Sequence, residues 1–324
     1  MTTLITGGAG FIGSRLALRL LADGESILIL DNFDSYYDPR IKRENIAVLQ
    51  AMPSAPGLLT VIEGDIRDEA LLERLFAEHP IQRVAHLAGM SNVRYSAERG
   101  RLYSDVNTSA TVSLMDVSRK HAVSVFVFGS TSSVYGNTDS IPFVETDAAA
   151  SPLAPYPASK RAAEVFGYTY YQLFGLNINI LRFFNVYGPH GRPDMMPLRV
   201  IDAILRGQPI NLYAGGELQR DWTYIDDIVH AIVAALERPL GYQIMNLGYG
   251  SPITLNEFIS IYEKLIGKAA VTRHVDSPLT EPKITYCDNS LASELLGFNP
   301  KIGIAEGLAR TWEWYRERYS INVP

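Results

Sequence analysis

The chain has 324 residues, 47% of them hydrophobic and 20% charged. That balance fits a globular protein of one or two domains and excludes a disordered chain. The net charge of -6 argues against a broad nucleic-acid-binding surface, and the apolar runs are broken by charge, Gly or Pro well short of a membrane span. The start, Met-Thr-Thr-Leu-Ile, lacks the basic and apolar stretches of a secretory signal, so a cytoplasmic location is expected. Cys287 is the one cysteine. It cannot form an intrachain disulfide or a Cys-rich zinc site, and the expectation is a structural thiol and no bound metal.

In chain order, the pattern predicts a strand at Thr3–Ile5, a glycine-rich turn and a helix running to Leu21. A second strand is predicted at Ser26–Leu30, ending at Asp31, and a third at Leu59–Glu63. There follow a predicted helix Glu69–Glu78, a strand Val84–Leu87, a helix Tyr103–Arg119 and a strand Ser124–Phe128. Repeated β-α-β with apolar strands implies a doubly wound parallel sheet covered on both faces, an α/β Rossmann architecture. Further on, a helix is predicted from about Ser159 to Phe174, a strand at Asn177–Phe183 and a loop at Tyr187–Pro197. Helices are predicted at Ile253–Ile266 and Ile304–Arg316, with extended segments at Tyr242–Leu247 and Ala270–Arg273. The change in composition near residue 184 suggests a smaller α/β C-terminal lobe. The expected division is 1–183 with about 224–247 for a dinucleotide domain, and 184–223 with 248–324 for a substrate domain.

Gly7, Gly10 and Gly13 follow the first strand directly and, with Phe11 and Ile12, open the first helix. Glycines there permit a tight turn, close approach of the backbone to a pyrophosphate and close helix–strand packing. The helix N-terminus offers free N–H groups to phosphate. Asp31, at the end of the second strand, is placed to accept both ribose hydroxyls of an adenosine and to repel a 2′-phosphate, which favours NAD over NADP. Arg40, Lys42 and Arg43 lie nearby and would tolerate a phosphate. Asp65 and Ile66 end the third strand, where adenine is expected; for Asp65 a helix N-cap is the alternative.

Tyr156 and Lys160 form Y-x-x-x-K, an i, i+4 pair on one helix face. A phenol has a reference pKa of about 10. A nearby ammonium and the positive nicotinamide ring of a bound cofactor are expected to lower it and make Tyr156 a general base. The run Ser130-Thr131-Ser132-Ser133-Val134-Tyr135-Gly136 follows the fifth strand, at the sheet edge where doubly wound folds place ligands.

Jointly these segments resemble the extended short-chain dehydrogenase/reductases of the NAD-dependent sugar-nucleotide epimerase/dehydratase family, over essentially the whole chain. The resemblance also rests on Asp31-Asn32, Gly64-Asp65, His86-Leu87-Ala88, Asn107, Arg182 to Pro189 and Arg220 to Asp227. It implies that Thr131 is the hydroxyl partner of Tyr156, that Lys160 also binds the nicotinamide ribose, and that Asn107 supports the cofactor site. It further implies that Asn32, Lys42, Leu87, Ala88, Gly89, Ser130 and Phe183 belong to that site. Dehydratases of the family carry an Asp-Glu pair after the Thr, and decarboxylases a Glu near it; here Ser132 and Ser133 stand there.

Three segments are similar to UDP-glucuronate 4-epimerases: Asp31 to Lys42, Asn92 to Ser96, and Gly188 to Met195. The resemblance therefore implies an isomerase that interconverts UDP-glucuronate and UDP-galacturonate through a 4-keto intermediate, with NAD tightly bound. Arg192 suits a carboxylate, since guanidinium binds it bidentately; an ion pair with Asp194 is the alternative. Arg220 matches a diphosphate position and Asn185 one near the sugar phosphate. Arg94 is a candidate for either the diphosphate or the carboxylate, and Asn211 to Tyr213 for uracil. A homodimer through the helices near Tyr103–Arg119 and Ser159–Phe174 is implied as well. Asn185 departs from the Thr common in glucuronate epimerases and is what galactose-type enzymes use. Gly89, Ala110 and the loop Pro278–Glu281 also depart from the family pattern. The alternatives are a UDP-glucose or UDP-N-acetylglucosamine 4-epimerase, a non-catalytic NAD-sensing protein, and a plain reductase with exchanging cofactor.

Overall fold

The computed structural model describes residues 1–138, 140–276 and 282–321. The loop Pro278–Glu281 lies outside these described residues. Seven parallel strands form the central sheet: β1 (Thr2–Thr6), β2 (Ser26–Asp31), β3 (Leu59–Glu63), β4 (Ile81–His86), β5 (Val125–Thr131), β6 (Ile178–Phe183) and a last strand Tyr242–Leu247. The last strand lies outside β6, and the order continues β5, β4, β1, β2, β3. β1 therefore has β2 on one side and β4 on the other. The chain reverses direction across the sheet at that pair, and a crevice opens beyond the strands' carboxyl ends.

Most predicted elements stand where the periodicity put them, and the differences have local causes. Helix α1 (Phe11–Ala22) begins after Gly10, and α2 (Pro39–Gln50) is an element the sequence reading left out. α2 starts at Asp38, whose carboxylate accepts from the Arg40 amide, and Pro39 sits in its first turn. Its polar composition hides a narrow buried stripe, Lys42, Asn45, Ile46 and Leu49. The third helix, Glu69–Glu78, is capped by Asp68 through the Leu71 amide, so Asp65 is not its N-cap. The predicted helix Tyr103–Arg119 is interrupted by a π-turn at Asp105–Ser109. The loop predicted to Pro197 ends one residue earlier, in a helix Met196–Arg206, and a helix Ile225–Leu236 lies before the last strand. The helix expected from Ile253 starts at Leu255, where Thr254 and Glu257 form a capping box.

Outside that sheet lie two small two-stranded sheets, one three-stranded sheet and the helices Met196–Arg206, Leu255–Ile266, Ser290–Leu296 and Ile304–Arg318, and this part is called the C-terminal lobe. It shares a core with the sheet: one apolar cluster runs from Ile5 and Leu16 through Ile228 to Phe258 and Trp312. Burial of that shared surface, at about 25 cal/mol per Å², ties the lobe to the sheet. Cys287 is buried, with its Sγ 3.6 Å from Asp221 Oδ2, and burial pushes its thiol pKa up. No helix among the described residues is long and apolar enough to cross a membrane.

Candidate active site

The crevice at the sheet's carboxyl edge is a cleft of ≈ 1830 Å³, its open mouth included. It is lined at one end by Gly7, Gly10, Phe11, Ile12, Gly13, Asp31, Asn32, Lys42, Asp65 and Ile66. Leu87, Ala88, Gly89, Ser130, Lys160 and Phe183 line its middle wall. Thr131, Ser132, Ser133, Tyr156, Asn185 and Arg192 line it as well.

The glycine turn is made by space as much as by conformation. Gly7 has φ +71, and a Cβ on it would lie 2.7 Å from the Ala88 amide nitrogen; one on Gly13 would run into the Gly7 carbonyl. The backbone can therefore press against β4 while the first amides of α1 face the cleft. Asp31 is locked beside this turn. One carboxylate oxygen accepts from the Ala9 amide at 3.0 Å and the other from the Phe33 amide at 2.9 Å. Each oxygen keeps a lone pair for a ribose hydroxyl. Asn45 donates to the Ala9 carbonyl at 3.0 Å and braces the same turn from α2. Arg40 pairs with Asp38 and Arg43 with Glu63, while Lys42 donates to the Asp34 carbonyl. All three cations that would tolerate a 2′-phosphate thus have partners, two of them carboxylates. Asp65 is held by Arg67 and by Asn32 Nδ2 at 2.9 Å, and the Arg67 guanidinium keeps its carboxyl well below the usual range. A narrow glycine cradle, an anchored acid and a helix N-terminus fit a dinucleotide such as NAD.

Asn107 lies behind the cleft wall, where it braces the lining segment at Gly89 and Met90. It is fully buried in the π-turn. It accepts from the Met90 amide at 2.8 Å and donates to the Met90 carbonyl and to Ser159 Oγ. It fixes the segment after Gly89 against the helix Pro155–Phe174. Gly89 itself leaves room: a Cβ there would stand 2.9 Å from Asn107 Oδ1 and 3.0 Å from Lys160 Nζ.

Tyr156 sits in the first turn of the helix Pro155–Phe174, hydrogen-bonded to Thr131 at the end of β5. Thr131 Oγ1 also accepts from the Ser133 amide at 3.2 Å. The expected lowering of the phenol pKa is not found in the chain alone. Burial raises it, against the Thr131 bond and the Arg192 charge, which pull it down. Lys160 is turned to the Gly129 carbonyl at 3.0 Å, and burial lowers its pKa to about 8.

Glu164, one turn further on, raises the Lys160 pKa and is a residue the sequence reading missed. Its carboxylate is fully buried, accepts from Ser130 Oγ, and is paired with Arg182, itself only 1% exposed. The i, i+4 spacing from Lys160 was the available signal. Arg192 does form the ion pair with Asp194, Nε to Oδ1 at 2.9 Å, and it faces the cleft as well.

Arg94, Asn211, Tyr213 and Arg220 line a second cavity of ≈ 950 Å³. Sequence neighbours line the two cavities, Val93 and Met195 the first and Arg94 and Met196 the second. Arg94 stacks over the Tyr213 ring at 4.9 Å and donates to its hydroxyl at 3.2 Å. Asn211 Oδ1 accepts from Arg273, and Arg220 donates to the Gln219 and Pro282 carbonyls. Arg199, Trp222 and Phe258 also line this cavity and were not foreseen.

The NAD dependent epimerase/dehydratase family model matches residues 3–248. The chain belongs to that family. It is 40% identical over 319 residues to UDP-glucuronate 4-epimerase of Thermodesulfobacterium geofontis, covering 98% of this chain and 97% of that protein. Its structure superposes with a TM-score of 0.90 on UDP-glucuronic acid 4-epimerase from Bacillus cereus in complex with UDP-glucuronic acid and NAD. Those two share 33% identity, over 98% of this chain and 100% of that one. A UDP-glucose 4-epimerase with UDP-glucose from Thermotoga maritima is also similar, with a TM-score of 0.89 and 29% identity, over 98% of this chain and 100% of that one. Family members are NAD-dependent, and this chain is an NAD-dependent enzyme.

Proposed function

We propose that this chain is a UDP-glucuronate 4-epimerase, an isomerase that interconverts UDP-glucuronate and UDP-galacturonate with NAD held throughout the cycle. The observation that carries the reading is the sugar end of the cleft. Thr131, Ser132 and Ser133 supply hydroxyls but no carboxylate, and the Arg192 guanidinium stands close enough to act on Tyr156. Without a carboxylate after Thr131, elimination has no acid/base pair.

Tyr156, as phenolate, takes the proton of the sugar 4-hydroxyl through Thr131. NAD, when bound, supplies the hydride acceptor at C4 and later the donor. Lys160 holds the nicotinamide ribose, and its ammonium favours the phenolate once it leaves the Gly129 carbonyl. The 4-keto sugar turns about its diphosphate linkage, and Tyr156 returns the proton to O4 after reduction on the opposite face. The 4-keto acid carries its carboxylate β to the ketone. It loses CO2 when the C5–carboxyl bond aligns with the carbonyl π system. Thr131, Ser132, Ser133, Asn185 and Arg192 form a clamp that prevents that alignment. The second cavity takes the nucleotide end, with Arg94 and Arg220 at the diphosphate and Asn211 and Tyr213 at uracil.

Asn185 favours a second reading, a neutral UDP-hexose as substrate. Incubation with UDP-glucuronate and no added NAD, followed by anion-exchange chromatography, separates the two. UDP-galacturonate is the expected product; turnover of UDP-galactose alone would replace the first reading with the second. The working form is a homodimer. Val165, Phe166, Leu173 and Phe174 are exposed apolar residues on the helix Pro155–Phe174, and a second copy covers them. Sedimentation at micromolar concentration tests this. The buried, unpaired Cys287 suits a reducing cytoplasm.

A further inference from the structure

Arg192 is held in a way that its role as a carboxylate donor leaves unexplained. Its Nε and Nη2 donate to the two oxygens of Asp194 at 2.9 and 3.1 Å. Asp194 Oδ2 accepts a second bond, from the Tyr36 hydroxyl at 2.9 Å. Tyr36 in turn accepts from Asn92 Nδ2 at 2.7 Å. Three separate loops meet here: one after β2, one after β4, and the Gly188–Met195 loop that carries Arg192.

Each member is fixed from behind. The Tyr36 amide donates to Asp34 Oδ1, and its ring packs edge-on against Tyr95 with centroids 5.0 Å apart. Asn92 has φ 79, a backbone conformation L-residues rarely adopt, and its Oδ1 caps the short helix Val93–Ser96 through the Tyr95 amide. Strained residues of this kind persist where the surroundings over-determine them, and they cluster at functional sites. The Arg192–Asp194 pair is about a quarter exposed, with side chains at 25% and 28%.

We propose that Asn92, Tyr36 and Asp194 are positioning residues that aim Arg192 at the carboxylate of the substrate, and so decide between epimerisation and loss of CO2. The inference rests on the UDP-glucuronate reading above. Asp194 takes one edge of the guanidinium and leaves the Nη1 donors and the second Nη2 hydrogen for a ligand. A guanidinium pinned along one edge cannot swing with the sugar acid as the ring turns, so the C5–carboxyl bond stays out of line with the carbonyl. Tyr36 lies on the loop that follows Asp31, so the segment that begins at the adenosine ribose also carries one member of the clamp.

If the clamp loosens, the 4-keto acid breaks its C5–carboxyl bond. CO2 leaves, and the bonding electron pair enters an enolate that takes a proton at C5, giving a UDP-4-keto-pentose. Return of the hydride to C4 then gives a UDP-pentose, and release of the ketone before that return leaves one reduced cofactor per UDP-4-keto-pentose. The products distinguish this route from epimerisation without reference to rate.

The test compares wild type, Asp194→Asn and Tyr36→Phe as NAD-loaded proteins. Asp194→Asn preserves shape, and Tyr36→Phe removes one hydroxyl from a partly exposed ring. The ratio of decarboxylated products, UDP-4-keto-pentose and UDP-pentose together, to UDP-galacturonate should rise by about tenfold or more in Asp194→Asn, the worth of one hydrogen bond to a charged group. A smaller rise in the same direction is expected for Tyr36→Phe. Calorimetry should show weaker binding of UDP-glucuronate by about tenfold in Asp194→Asn, with UDP-glucose binding changed less than about twofold. A wild-type product ratio in both variants overturns the proposal. So does equal weakening of both ligands, which marks a merely structural role. A wild type that makes no UDP-galacturonate instead overturns the reading on which the proposal rests.

Discussion

The cofactor end of the cleft and its sugar end are built from different kinds of contact. At the cofactor end the parts are backbone and nearly contiguous: the Gly7–Gly13 turn, the amides of Ala9 and Phe33 on Asp31, and Asn45 on the Ala9 carbonyl. All lie on the one stretch of chain from β1 to α2. At the sugar end the parts are side chains from distant loops, such as Tyr36 with Asp194 and Thr131 with Tyr156. Backbone geometry that only glycine permits leaves little to vary. A side-chain network can be retuned one residue at a time, which is how one fold serves several sugars and outcomes.

The largest expected effect is at the sugar end. Tyr156→Phe should lower kcat by about 10²–10⁴-fold, the usual contribution of a general base, with UDP-glucuronate affinity little changed. Turnover rates and calorimetry check this, and an unaffected kcat would assign the base elsewhere. Glu164→Gln tests the buried layer beneath both ends. It leaves Arg182 without its full counter-charge, and breaking such a pair costs about 3–5 kcal/mol, read by urea denaturation. Glu164 also holds the Lys160 pKa up against burial, so its loss should move the alkaline limb of kcat to lower pH. A variant of wild-type stability and unshifted profile would separate that layer from the site.

At the cofactor end, Asp31→Asn should weaken NAD by about 1.5–3 kcal/mol, the worth of hydrogen bonds to a charged acceptor, and leave UDP binding intact. Equal loss of both ligands would erase the distinction between the two ends.

The smallest effect concerns the sheet between them. His86 is fully buried, bonded to Thr6 Oγ1 and Thr111 Oγ1, and burial lowers its pKa well below 6.5. Thr111 donates to the Asn107 carbonyl, so it accepts from His86 Nε2–H, while Nδ1 accepts from Thr6. The unfolded imidazole takes up a proton below about pH 6.5 and the folded one resists it. This part of the stability is full above that pH and is lost as pH falls, by up to about 1.4 kcal/mol per pH unit. Denaturation of His86→Gln between pH 7 and 5 should show a shallower slope. An unchanged slope would mean that other groups carry the loss.

Parts of the site were legible because their signals are local. The glycines, Asp31 and the Tyr156/Lys160 pair each follow from spacing within one element or one turn. The helix Pro39–Gln50 was not legible, because its apolar stripe is narrow and carries a buried Lys and Asn. The resemblance singled out Asn107 as a support of the site, but its bonds to Met90 and Ser159 depend on the π-turn that carries it, which no spacing showed. The Tyr36–Asp194 contact left no trace in spacing, although both residues lie in segments that the resemblance had singled out.

Length, charge and alternating apolar segments determined an α/β chain with a glycine turn after the first strand and a Y-x-x-x-K pair on one helix face. Those features depend on neighbours in sequence, where periodicity and turn chemistry act. Only the tertiary structure decided that the net charge of -6 leaves room for a cationic pocket. Arg192 faces the first cavity, while Arg94 and Arg220 face the second. The same holds for Asp194, Tyr36 and Asn92 around Arg192, and for the burial that raises the Tyr156 pKa. Burial and side-chain geometry arise when loops far apart in sequence converge at one sheet edge, and no local pattern encodes that convergence.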